Sequence, residues 1–145
     1  ITFRKDAAVV NLPPTSSIDL AARLLEEMTV GGRTPLSAGL IKAGEMLRNH
    51  LVREPESRPI VFLITDGRAN MPLSEDLPPM EEAEDLAAKL GRDGRVRFVV
   101  VDTERQGLVR FGLASRIAAA LNAQYFKIED LKAETLLDIA KENAV

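Results

Sequence analysis

The segment Ile60-Val61-Phe62-Leu63-Ile64-Thr65 limits what this chain can become more than any other. It is apolar up to its last residue and rich in β-branched side chains. A strand with one wet face would alternate apolar and polar residues, and this run does not. Continuous apolar strands of this kind belong inside parallel sheets, buried on both faces, so a central parallel strand is expected here. Val96 to Val101 repeats the pattern, with Arg97 as its one charge. Both runs are far shorter than the roughly 20 residues of a membrane-spanning helix.

Parallel strands need crossover connections, usually helical. Between the two runs, Ala83, Leu86, Ala87 and Leu90 mark an amphipathic helix that Gly91 and Gly94 close. The stretch before it, Asp66 to Pro79, reads as loop. Leu113 to Leu121 reads as the next helix and Tyr125 to Ile128 as a short strand. A last helix is expected over Glu134 to Asn143. Upstream, Ile1-Thr2-Phe3 and Ala7-Ala8-Val9-Val10 flank a polar break at Arg4-Lys5-Asp6, the pattern of a hairpin. Ser16 and Asp19 resemble a capping box ahead of a helix bearing Ile18, Ala21, Ala22, Leu25 and Met28. Thr34 and Pro35 read as N-cap and first residue of a further helix, whose apolar stripe is Leu36, Leu40, Ala43 and Leu47. The fold class that follows is α/β: an open, doubly wound, mostly parallel sheet with helices on both faces.

Composition fits this reading. The 145 residues are 46% hydrophobic and 28% charged, the range of one globular domain, so residues 1–145 are taken as a single domain. There are 19 basic against 22 acidic residues, for a net charge of −3, which gives no basic excess for nucleic acid. Cysteine is absent, which excludes a disulfide framework and a thiolate site. A cytoplasmic setting without membrane association is the expectation.

In open α/β sheets, ligands bind beyond the carboxyl ends of the strands. Asp66 and Asp102 both fall at such ends, and Gly31-Gly32-Arg33-Thr34 leads into a helix start. No phosphate-binding loop, dinucleotide fingerprint or nucleophile elbow is present, and the single histidine, His50, lies among arginines near a helix end. The acidic cluster Glu75, Asp76, Glu81, Glu82, Glu84 and Asp85 is accounted for by a helix N-terminus. What remains is an oxygen-only divalent cation site, because Mg²⁺ is held by few oxygen ligands and keeps several waters. Thr34 offers a hydroxyl and Asp66 a carboxylate; the alternative is that Thr34 only caps a helix and Asp66 only forms a turn before Gly67.

Two motifs carry a family resemblance. Val61-Phe62-Leu63-Ile64-Thr65-Asp66-Gly67-Arg68-Ala69-Asn70 resembles the third metal-site motif of von Willebrand factor A (VWA) domains, and Gly31-Gly32-Arg33-Thr34-Pro35-Leu36 resembles their second. With Val100-Val101-Asp102-Thr103-Glu104, Gly112-Leu113-Ala114 and the tail from Ala123-Gln124-Tyr125-Phe126 to Glu129-Asp130-Leu131, the chain is similar over its whole length to the VWA domain of magnesium chelatase D subunits.

The resemblance implies an Mg²⁺-dependent interaction module with Thr34 and Asp66 as metal ligands. Arg33, Arg68 and Asn70 would then stand on the rim to bond a partner carboxylate. Implied partners are an AAA+ ATPase subunit and a porphyrin-binding subunit, in a complex that inserts Mg²⁺ into protoporphyrin IX; the module is not itself the catalyst. The family motif Asp-x-Ser-x-Ser is absent here. The expectation is therefore an N-terminally truncated domain lacking its first strand and helix, with weak or no Mg²⁺ binding. An unpaired sheet region beside Ile60 to Thr65 would then invite association between copies. Two alternatives stand beside this reading: a VWA adaptor of another AAA+ system, cobalt-chelatase-like or MoxR-associated, and an unrelated α/β enzyme using Asp66 with Asp102.

Overall fold

A computed structural model describes residues 1–4, 7–10, 17, 20, 35–67, 69, 73, 75–104 and 112–130. Of the helix expected over Ile18 to Met28 only Leu20 is described, and it is helical; the helix expected over Glu134 to Asn143 lies outside the described residues. The chain divides into two compact units, Ile1–Glu56 with Ala69–Ala83, and Ser57–Arg68 with Glu84–Val145.

In the first unit, β1 (Thr2–Arg4) and β2 (Ala7–Val9) pair antiparallel as expected, with Arg4 opposite Ala7, so that Arg4 of the polar break is the last residue of β1. Helix α1 (Leu36–Arg53) packs against both strands. Its buried residues include Leu36, Leu40 and Leu51, one stripe of the 3.6-residue period, while Glu45 and Arg48 are exposed. Pro35 stands just before the helix instead of opening it. Its ψ of 69° is not helical, yet its carbonyl already accepts the Gly39 N–H at 3.1 Å.

Helix α2 (Pro79–Leu90) begins at Pro79, the last residue expected in the loop. Pro79 opens it, the Glu82 N–H donates to the Pro78 carbonyl at 3.0 Å, and Glu81 and Glu82 sit in the first turn. Proline needs no N–H partner there, and the carboxylates face the positive end of the helix dipole. Glu82 does more: both its oxygens accept the Leu73 N–H, at 2.8 and 3.1 Å, which closes the loop between them.

The second unit holds a three-stranded parallel sheet of β3 (Ile60–Thr65), β4 (Arg97–Asp102) and β5 (Gln124–Lys127), in that order. Ile60 pairs with Arg97 and Thr65 with Asp102; Val99 pairs with Gln124 and Asp102 with Lys127. With this sheet and the helices α1, Pro79–Leu90 and Leu113–Ala120 among the described residues, the fold class is α/β, as expected. The central strand differs. Among the described residues β3 pairs with β4 alone and is only partly buried, with Ile64 exposed, whereas every residue of β4 after Arg97 is buried. Val99 and Val101 form the core of one face with Ile60, Phe62 and Phe126 around them.

Helix α3 (Leu113–Ala120) packs on β4 and β5 through its buried Ala114, Ile117 and Ala118. It meets Glu84 of α2 and Gly91 just past that helix. Gly91, just past α2, approaches so closely that a Cβ there would stand 2.6 Å from the Leu121 carbonyl. Arg116 Nε also meets Glu84 Oε1 at 2.6 Å.

Candidate functional site

The carboxyl ends of β3 and β4 form one rim, built by short polar links. At the end of β3, the buried Thr65 hydroxyl accepts the Gly67 N–H at 3.0 Å and so closes a turn around Asp66. Gly67 has φ +75°, and a Cβ on it would fall 2.1 Å from the Ala114 amide nitrogen and 2.4 Å from the Leu113 carbonyl carbon. Only glycine meets both demands, the left-handed backbone and the contact with helix α3. The Thr-Asp-Gly motif is thus pressed onto the start of α3, and Asp66 is left half-buried between two fixed neighbours.

At the end of β4 the polar residues turn inward. Asp102 is 5% exposed. Its Oδ1 accepts the Glu104 N–H at 2.7 Å, and its Oδ2 accepts the Tyr125 hydroxyl proton. Glu104 Oε2 in turn accepts the Gly112 N–H at 3.3 Å, linking the turn after β4 to the residue before α3. The Thr103 N–H donates to the Thr65 carbonyl at 3.0 Å, so the two strand ends are joined one step beyond their last registered pair. Asp102, Glu104, Gly112 and Tyr125 line a pocket of about 170 Å³ with Lys127, Ile128 and Glu129.

Of the residues singled out in the sequence, Asp66 stands on this rim. Thr34, Arg33, Arg68 and Asn70 lie outside the described residues. Asp102 does not directly follow its strand; it is the last strand residue, and its carboxylate is committed to Tyr125 and Glu104. Sequence reasoning missed this network and the Gly67 contact. An Asp two residues before a turn amide was visible in Asp102-Thr103-Glu104, but nothing local pointed to Tyr125, which arrives from another strand.

Among the described residues, no three His, Cys, Asp or Glu side chains converge to hold a metal. Asp66 brings one half-buried carboxylate to the rim, a hard oxygen donor of the kind that suits Mg²⁺. Among the same residues, no helix is long and apolar enough to cross a membrane.

Fold and rim define an α/β protein whose parallel strands present one aspartate and bury the next. No family model matches the chain. The chain belongs to the same family as the uncharacterized protein MJ0910 of Methanocaldococcus jannaschii, to which it is 36% identical over 97% of its length, spanning 79% of that protein. It is 39% identical over 94% of its length to the uncharacterized protein Rv2850c of Mycobacterium tuberculosis, but spans 21% of that protein. To the magnesium-chelatase 67 kDa subunit of Chlorobaculum parvum it is 36% identical over 97% of its length, spanning 24% of the subunit.

Proposed function

We propose that the chain serves as an Mg²⁺-dependent interaction module of a magnesium-chelatase-type subunit, working in the cytoplasm. It would link an AAA+ ATPase subunit to a porphyrin-binding subunit during Mg²⁺ insertion into protoporphyrin IX. The observation that carries this reading is the Asp66 turn, half-exposed and braced by Thr65 and by Gly67 against helix α3. Such bracing suits a ligand carboxylate, whose place must not shift when a partner docks. The similarity to magnesium-chelatase 67 kDa subunits supports the assignment to that system.

Asp66 and Thr34 would hold the cation, with Arg33, Arg68 and Asn70 as rim groups for a partner carboxylate. Bound there, Mg²⁺ would supply a positive charge with exchangeable water positions that a partner carboxylate can enter. The guanidinium groups offer planar pairs of donors to the same carboxylate. An adaptor role in another AAA+ system is the second reading: the chain spans 79% of MJ0910 and 24% of the chelatase subunit, so a related module also occurs in a much shorter protein.

A Mn²⁺ titration followed by electron paramagnetic resonance tests the metal assignment. Weak binding by the full chain that is lost in Asp66→Ala and in Thr34→Ala is the expected result. Binding that both variants retain, or none by the parent, would reduce the two residues to turn and cap. Co-purification with a chelatase ATPase subunit, against one from another AAA+ system, separates the first reading from the second.

A further inference from the structure

The rim contains a buried carboxylate for which the reading above has no use. A buried carboxylate is costly unless it is fully hydrogen-bonded, and a well-packed apolar residue in its place would often be no less stable. Asp102 is 5% exposed and accepts from two different elements, the Tyr125 hydroxyl on β5 and the Glu104 amide in the turn after β4. The turn fixed in this way carries the Thr103 N–H, which donates to the Thr65 carbonyl. Thr65 immediately precedes Asp66, and its hydroxyl accepts the Gly67 N–H that follows Asp66. A continuous set of hydrogen bonds thus runs from β5 through β4 to both neighbours of Asp66.

We infer that Asp102 and Tyr125 are positioning residues for Asp66: they set the β4 turn, and the Thr103 N–H carries that placement to the Thr65-Asp66-Gly67 turn. In its functional half this rests on the reading of Asp66 as a metal ligand. Partners that orient a ligand group typically matter to metal affinity without touching the metal. Glu104 extends the same set of bonds to Gly112 at the start of α3, against which Gly67 also leans. The Asp66 turn is therefore fixed both from the strand side and from the helix side.

Tyr125→Phe removes one hydroxyl and little else. Asp102→Asn is the conservative control: one amide oxygen still accepts the Glu104 N–H, and the amide NH₂ can donate to the Tyr125 oxygen. The test combines amide hydrogen exchange by NMR with the Mn²⁺ titration, both on the full chain. Tyr125→Phe should speed exchange at Thr103 and Gly67 about tenfold while leaving Val99 and Val100 unchanged. It should also weaken Mn²⁺ binding by roughly tenfold, and Asp102→Asn should move both much less.

Unchanged exchange at Thr103 and Gly67 in Tyr125→Phe overturns the inference, whatever the metal does. Faster exchange throughout β4 overturns it too, because that reports a general loss of stability. Local acceleration with unaltered Mn²⁺ affinity refutes the functional half. Local acceleration in a chain whose parent binds no Mn²⁺ supports the positioning bonds and instead removes the metal assignment of Asp66.

Discussion

Two aspartates close two adjacent parallel strands, and their surroundings give them opposite parts. Thr65 pairs with Asp102, so Asp66 lies one residue beyond the last registered pair while Asp102 is still inside the sheet. That single step leaves Asp66 half-buried in a turn and puts Asp102 between Tyr125 and Glu104. An aspartate after an apolar run is thus a rim group or a scaffold group according to register, and residue type does not tell the two apart.

The largest effect should come from the glycine that braces the rim. Gly67→Ala forces a Cβ into the Ala114 amide and a side chain into a left-handed backbone; about 3 kcal/mol of destabilisation is expected from strain and overpacking together, measured by urea unfolding. Next comes the direct contrast. Asp102→Ala leaves the Tyr125 hydroxyl and the Glu104 amide without their acceptor and should cost about 2–3 kcal/mol. Asp66→Ala should cost less, about 1 kcal/mol, as for a half-buried turn residue. Equal losses at the two positions would erase the distinction drawn between them.

Arg116→Ala removes the ion pair with Glu84, whose partners are 50% and 25% exposed, and should cost about 0.5 kcal/mol, readable as a small shift in thermal midpoint. A third aspartate supplies an exposed reference. Arg95 holds Asp93 by side-chain and backbone hydrogen bonds and keeps its carboxyl below the usual range. The lowered value means that this pair supports the fold above the ordinary carboxylate range and stops doing so as pH falls through the lowered value. In an NMR titration, Arg95→Ala should bring Asp93 back up, with a small fall in thermal midpoint at neutral pH that disappears once the pH is below the lowered value.

Much of the architecture was legible in the chain. The hairpin, the α1 stripe, both long apolar strands and the α3 helix sit where their periodicities put them, within a residue or two. Pro79 hid the start of α2, because the apolar period begins only after the acidic first turn. The apolar run at Ile60 suggested the central strand, yet among the described residues β4 has a neighbour on each side and β3 has one. For the site, the Thr65-Asp66-Gly67 motif was readable as a strand-end turn. The need for glycine at its third position was not, since the atoms that forbid a side chain belong to Leu113 and Ala114.

Periodicity, caps and turn residues are local signals, and they were enough to assign this chain to the α/β class and to place Asp66 at a strand end. Strand order, the burial of Asp102 and its bond to Tyr125 came only from the folded structure. Those features depend on the register between strands that crossover helices separate in sequence. One step of register decides whether a carboxylate meets water or a buried hydroxyl.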